Sequence, residues 1–240
     1  MFYFSPVFLF FLSLILWILI PYWWIFHNFY YGLMYFFIIM RIRVYGLIIR
    51  GWSSSRIYSL LGSLRSIAQV ISYEVSLSFI IVSIFLILGR YRLIDFYIYQ
   101  SYIYFIFIFL PFSLIWLVSI IAETNRTPFD FAEAESELVS GFNIEYRSGG
   151  FSLIFLAEYS SIMFIRLIFS LFFLGGDLKN FFFFFKVLLI IYLFIWVRGR
   201  LPRYRYDKLI ILCWRRFLLI SLLLIYYYFT IIIYIYLMLI

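Results

Sequence analysis

The sequence predicts an all-α fold, a polytopic transmembrane helix bundle of about seven spans with a long acidic loop on its inner face. Three observations predict it. The 240 residues are 67% hydrophobic, with a mean hydropathy of +1.09. Only 12% of them are charged, about half the share of a soluble domain. Apolar runs near the length of about 20 residues that crosses a bilayer as a helix recur along the chain, separated by short polar stretches.

In chain order, the first span is expected over residues 2–20, ended by Pro21 and followed by the interfacial aromatics Tyr22, Trp23 and Trp24. His27 sits in that turn as an interfacial residue, because no second histidine exists to share a metal. The second span covers 29–49 and carries Arg41 and Arg43, which two-residue spacing sends to different faces. One is expected to snorkel and the other to pair inside the bundle; contact with a bound lipid or a cavity is the alternative. Residues 50–63 read as a polar loop. The third span, 64–88, contains Arg65, Glu74, Gln69 and a series of serines. A helix this polar belongs in the bundle interior or along a wet path, and a carboxylate at that depth is a functional candidate.

The fourth span is expected over 97–121, kinked at Pro111. Residues 122–150 follow as the acidic loop, which holds Glu123, Asp130, Glu133, Glu135, Glu137 and Glu145, six of the chain's eleven acidic residues. Pro128 and Gly141 break it, and a short surface helix is expected from Phe131 to Val139. The fifth span, 151–174, carries Glu158 and Arg166. The sixth, 181–197, opens on five phenylalanines, expected to face lipid. The basic loop 198–208 precedes the last span, 209–239, which is long enough to be tilted or kinked. Cys213 is expected to be a small apolar filler. The whole chain, 1–240, is thus one membrane domain.

Alternating spans put twelve basic residues on the side of the acidic and basic loops and four on the other, with Arg41, Arg43 and Arg166 inside spans. That is a positive-inside bias. The acidic loop and the basic loop share the inner face, where opposite charge lets them meet each other or a soluble partner.

Composition also excludes functions. A net charge of +8 without a dense basic run gives no nucleic-acid footprint. The lone Cys213 and lone His27 leave no set to ligate haem, an iron–sulfur centre or another metal. No Gly-rich phosphate cradle is present. What remains is a set of ionisable groups suited to proton relay or charge coupling. The N-terminus lacks the basic region and cleavage site of a secretory signal and the amphipathic character of a transit peptide. Heavy use of Phe, Tyr and Ile matches AT-rich codons, so an organelle-encoded chain is expected.

The run AETNR-x-PFD, followed by E-x-ESELVSGFN-x-EY, resembles the signature loop of the subunit 1 family of NADH:ubiquinone oxidoreductase (respiratory complex I). The resemblance extends to GWSSSRIYSLLGSLRSIAQVISYEV at 51–75, AEY at 157–159 and LPRYRYDKL at 201–209. It implies a subunit of an H+-translocating NADH:ubiquinone reductase in the mitochondrial inner membrane, lining the ubiquinone chamber where the membrane and peripheral arms meet. It implies ubiquinone at a site shared with other subunits, flavin and iron–sulfur centres in partner subunits only, contact with membrane lipids, and no nucleic acid. Carried over, Glu74, Glu123, Asp130, Glu133, Glu135, Glu137, Glu158, Arg65 and Arg126 form the proton-coupling path. Arg126, Phe129, Asp130, Arg203, Arg205, Tyr206 and Asp207 line the quinone chamber. Arg41, Arg43 and Arg166 depart from positions usually uncharged or neutral in the family. The family's usual first helix, with its ERK and R-x-GPN motifs, has no counterpart in the sequence, and a separate small polypeptide is expected to supply it. Two other readings stand beside this one: an ion transporter or channel gated by the acidic loop, and a purely structural anchor of the same assembly.

Overall fold

The structure, a computed structural model, describes residues 2–20, 29–54, 57–101, 103–130, 146, 148–178 and 180–239. Among them all regular structure is helical. The elements are α1 (Phe4–Trp17), α2 (Gly32–Ser53), α3 (Ile57–Leu88), α4 (Asp95–Tyr99), α5 (Phe105–Ile108), α6 (Leu110–Glu123), α7 (Ser148–Phe173) and α8 (Phe181–Arg200). The last span is α9 (Tyr206–Ile211), a π-helical turn (Leu212–Phe217) and α10 (Leu218–Leu239). Five helical stretches are long and apolar enough to cross a membrane; α1 and α6 are shorter apolar helices.

The 32-residue α3 is the axis of the bundle, with α2, α6, α10 and the π turn packed around it. Its Ser66, Gln69, Ser72, Ser76 and Ser83 are buried. Each of these serines donates to the carbonyl three residues back, as Ser66 Oγ does to Ser63 O at 2.8 Å and Ser76 Oγ to Tyr73 O at 3.0 Å. The hydroxyls are thereby satisfied within the helix, and the small side chains let neighbours approach closely. On the other flank α7 packs against α1, α6 and α8. Toward the end of α3 where Leu88 lies, Phe85, Phe96, Phe172, Phe173 and Trp116 form an aromatic core, with Phe96 and Phe172 ring centroids 4.5 Å apart and Trp116 edge-on to Phe173 at 5.3 Å.

Three features differ from the sequence expectation. Residues 50–63 are mostly helical, not a loop: α2 runs to Ser53 and α3 starts at Ile57. Ser53, Ser54 and Ser63 donate to the carbonyls of Arg50, Gly51 and Leu60, so polarity here decorates helix ends and does not break them. The stretch 97–121 is not one kinked helix. It is divided into α4, α5 and α6, and Pro111 lies in the first turn of α6, where its missing N–H has no helical partner to lose. The last span is one continuous run interrupted by the π turn.

Gly89 and Gly175 follow α3 and α7 with φ of 64° and 91°, a conformation that glycine takes without steric cost. Gly51 marks the closest approach of α2 to α3: a Cβ there would lie 1.9 Å from Ser63 Oγ and 2.4 Å from its Cβ. Gly51→Val is therefore expected to push these helices apart and lower the yield of folded chain several-fold, which quantitative immunoblotting of membranes measures. The phenylalanines that open α8 point mostly outward, with only Phe183 buried. Cys213 is buried, its thiol 2.9 Å from Ser72 O.

Candidate functional site: carboxylates and arginines at one end of the bundle

The turn after α6 is fastened to α3. Gln69 Nε2 donates to Ala122 O at 2.6 Å and to Phe129 O at 2.9 Å, bridging the two ends of the ETNRTPF turn. Asn125 takes φ 50° within it, which asparagine tolerates. The expected short helix at 131–139, with Glu133, Glu135 and Glu137, lies outside the described residues. Gln69→Leu removes both donors, and a loss of about 2 kcal/mol in local stability is expected. Amide exchange over residues 124–130 should accelerate accordingly; unchanged protection would show that the turn is held by other contacts.

The acidic and basic loops meet. Tyr204 N donates to Pro128 O at 3.0 Å, and Arg203 Nη2 donates to the Asp130 carbonyl. Phe129 is buried between Tyr73 and Tyr204, with centroid distances of 6.5 and 5.6 Å. Arg65, on α3, lies over the Tyr206 ring at 5.9 Å. Arg205 and Asp207 form a 3.0 Å pair with each other; both are solvent-facing, so the pair adds little stability.

Glu158, on α7, is held from two sides. Arg126 Nη2 donates to its Oε2 at 2.9 Å, and Arg50 Nη1 lies 3.7 Å from its Oε1. Arg126 is also over the rings of Phe155 and Tyr159, at 5.2 and 5.3 Å, and so sits in an aromatic cradle. Glu74 pairs with Arg41 at 3.5 Å. Glu123 ends α6 and is buried, with Oε2 lacking a hydrogen-bond partner. Arg43 acts electrostatically on both Glu74 and Glu123, so these two carboxylates share one cation.

Arg43, Arg50, Asn125 and Glu158 line a common cleft of about 630 Å³ between α1, α2, α7 and the turn after α6. The structure thus brings Glu123, Glu158 and Arg126 to one end, places Glu74 farther along α3 beside Arg41, and sets Arg65, Arg203, Arg205, Tyr206 and Asp207 at the basic loop. Arg50 was missed as a site residue because its segment read as a loop. The available signal was its spacing from Arg43: seven residues, two helical turns on one face.

A family model described as NADH dehydrogenase matches residues 1–229. The chain belongs to this family. It is 56% identical over 221 residues to the NADH-ubiquinone oxidoreductase chain 1 of Anopheles gambiae, covering 92% of this chain and 70% of that one. Identity to the chain of the same name from Locusta migratoria is 55% over 222 residues, covering 92% and 71%. The likeness reaches plants: the NADH-ubiquinone oxidoreductase chain 1 of Arabidopsis thaliana is 44% identical over 232 residues, covering 91% and 71%.

Proposed function

We propose that the chain is the membrane-arm subunit of respiratory complex I that lines the ubiquinone chamber and couples quinone reduction to proton translocation. It would act as a single membrane domain of the mitochondrial inner membrane, organelle-encoded, with its two charged loops toward the matrix. The observation that carries this reading is the juxtaposition of the 122–130 turn with the 203–207 loop, next to three partly or fully buried carboxylates matched by arginines, in a chain 56% identical to a subunit of an NADH-ubiquinone oxidoreductase.

The chemistry of the residues fits a quinone substrate. Phe129, Tyr204 and Tyr206 offer ring faces, and Arg65 and Arg203 offer N–H donors to carbonyl oxygens. The quinone would accept electrons from centres carried by partner subunits. This chain's part is to hold the head group and to answer its change of charge. Glu158, between Arg50 and Arg126, is placed to respond first, because the same turn carries Arg126 and Phe129. Glu123 and Glu74, sharing Arg43, continue the line into the bundle. A proton gained or lost at one of them alters the field at the other, which is the physical content of the coupling. Asp130, Glu133, Glu135, Glu137, Arg205 and Asp207 complete the charged rim facing the peripheral arm.

The test is capture of the native assembly from mitochondrial membranes with an antibody to this chain, with a photoreactive ubiquinone analogue present. Co-recovery of flavin and iron–sulfur proteins, with label on the 122–130 turn displaced by ubiquinone, is the expected result. Recovery of the chain without redox partners, or label confined to lipid-facing helices, overturns the reading.

A further inference from the structure

We propose that the groove between α7 and the C-terminal half of α8 is a binding site for the phosphate head group of an anionic phospholipid. Arg166 lies inside an apolar span, half-buried, with its guanidinium over the Phe194 ring at 4.5 Å and Nε buried without a hydrogen-bond partner. Arg198 is one turn beyond Phe194 on the same face of α8 and acts electrostatically on Arg166. Arg200 lies 5.5 Å from the Trp196 ring. Among the described residues no carboxylate pairs with any of these three arginines. Glu158, the other charged residue of α7, is held by Arg50 and Arg126.

The depth is suited to a lipid. Lys186 bonds Leu174 O at 2.8 Å near the other end of the groove. Eight residues along each antiparallel helix bring Phe194 level with Arg166, and Arg198 and Arg200 lie one to two turns farther, at the end of α8. The arginines therefore form a ladder that ends at the membrane surface. Beside it, Met163, Tyr192, Ile195 and Trp196 are exposed, an apolar wall for acyl chains with an interfacial tryptophan. Like charges at a hydrocarbon boundary repel and are poorly hydrated. A phosphodiester between Arg166 and Arg198 satisfies the buried N–H and removes the repulsion, as basic pockets between transmembrane helices do for anionic lipids. Arg41 offers no comparable site, since Glu74 already neutralises it.

The experiment uses the assembled complex in phosphatidylcholine vesicles containing a photoreactive diphosphatidylglycerol. Label is expected on the peptides carrying Arg166 and Arg198. It should be competed by unlabelled diphosphatidylglycerol but not by inorganic phosphate, and should fall about fivefold for each of Arg166→Leu and Arg198→Leu. Arg198 is on the surface, so its variant assembles even if the Arg166 variant does not. Equal labelling by a phosphatidylcholine probe, equal competition by inorganic phosphate, or no label on these peptides would each overturn the proposal.

Discussion

Glu123→Gln is expected to lower quinone reduction coupled to proton translocation by about 10²-fold, the usual scale for loss of a positioned proton-transfer group, while the complex still assembles. Glutamine keeps the shape and one carbonyl oxygen, so the packing of α6 against α3 is retained. What disappears is the charge that Glu123 presents to Arg43 and Glu74. Arg43 would then be balanced by Glu74 alone, and the line of carboxylates would lose its middle member. Proton uptake driven by NADH in membrane vesicles, measured beside NADH oxidation by an artificial acceptor that bypasses the quinone, separates the two effects. The artificial-acceptor rate should stay unchanged. If quinone reduction and proton uptake also persist at normal rates, Glu123 is a structural carboxylate and the proposed path runs elsewhere.

The second large effect is expected from Arg126→Leu. Arg126 is 8% exposed, bonds Glu158 at 2.9 Å and lies against two aromatic rings. Leucine leaves the carboxylate with only the longer Arg50 contact, and the penalty for a buried charge that loses its close partner is about 3 kcal/mol. A lower melting temperature of the isolated complex and reduced assembly on native gels should follow. Arg126→Lys preserves charge but loses the planar fork and the ring stacking, so it should recover part of the stability and little of the quinone affinity. Equal stability of the leucine and lysine variants would argue that Arg50 alone suffices to neutralise Glu158.

Much of this arrangement was legible in the sequence because charge is costly in an apolar chain. Glu74, Glu123 and Glu158 stand out against hydrophobic surroundings, and the serines of α3 announce an interior helix. The meeting of the 122–130 turn with the 203–207 loop followed from their placement on one side. What was not legible came from two physical causes. Hydropathy reports whether a segment is apolar, not whether its backbone is continuous. Residues 97–121 therefore looked like one kinked span, although Pro111 serves as a helix start. Polarity was also a poor guide to chain breaks. Ser53 and Ser54 bond back to their own helix, so α2 extends far enough to carry Arg50 to Glu158. The same extension hides Arg43, Arg50 and the cleft they line from any reading that stops α2 at residue 49.

The π turn at Leu212–Phe217 bears on how the gene can change. A wide turn holds one more residue than the regular helix around it, and each residue corresponds to about 100° of rotation. Deleting one codon within these six would give a regular, better-bonded helix, yet would swing all 22 residues of α10 by more than a quarter turn relative to α9. Tyr228, whose hydroxyl reaches Ile108 O at 2.8 Å and whose ring lies against Phe109 and Phe112, would face away from them. Length in this short stretch is therefore under tighter constraint than residue identity. A frame-preserving deletion here should be far less tolerated than most point substitutions in the outward-facing surface of α10.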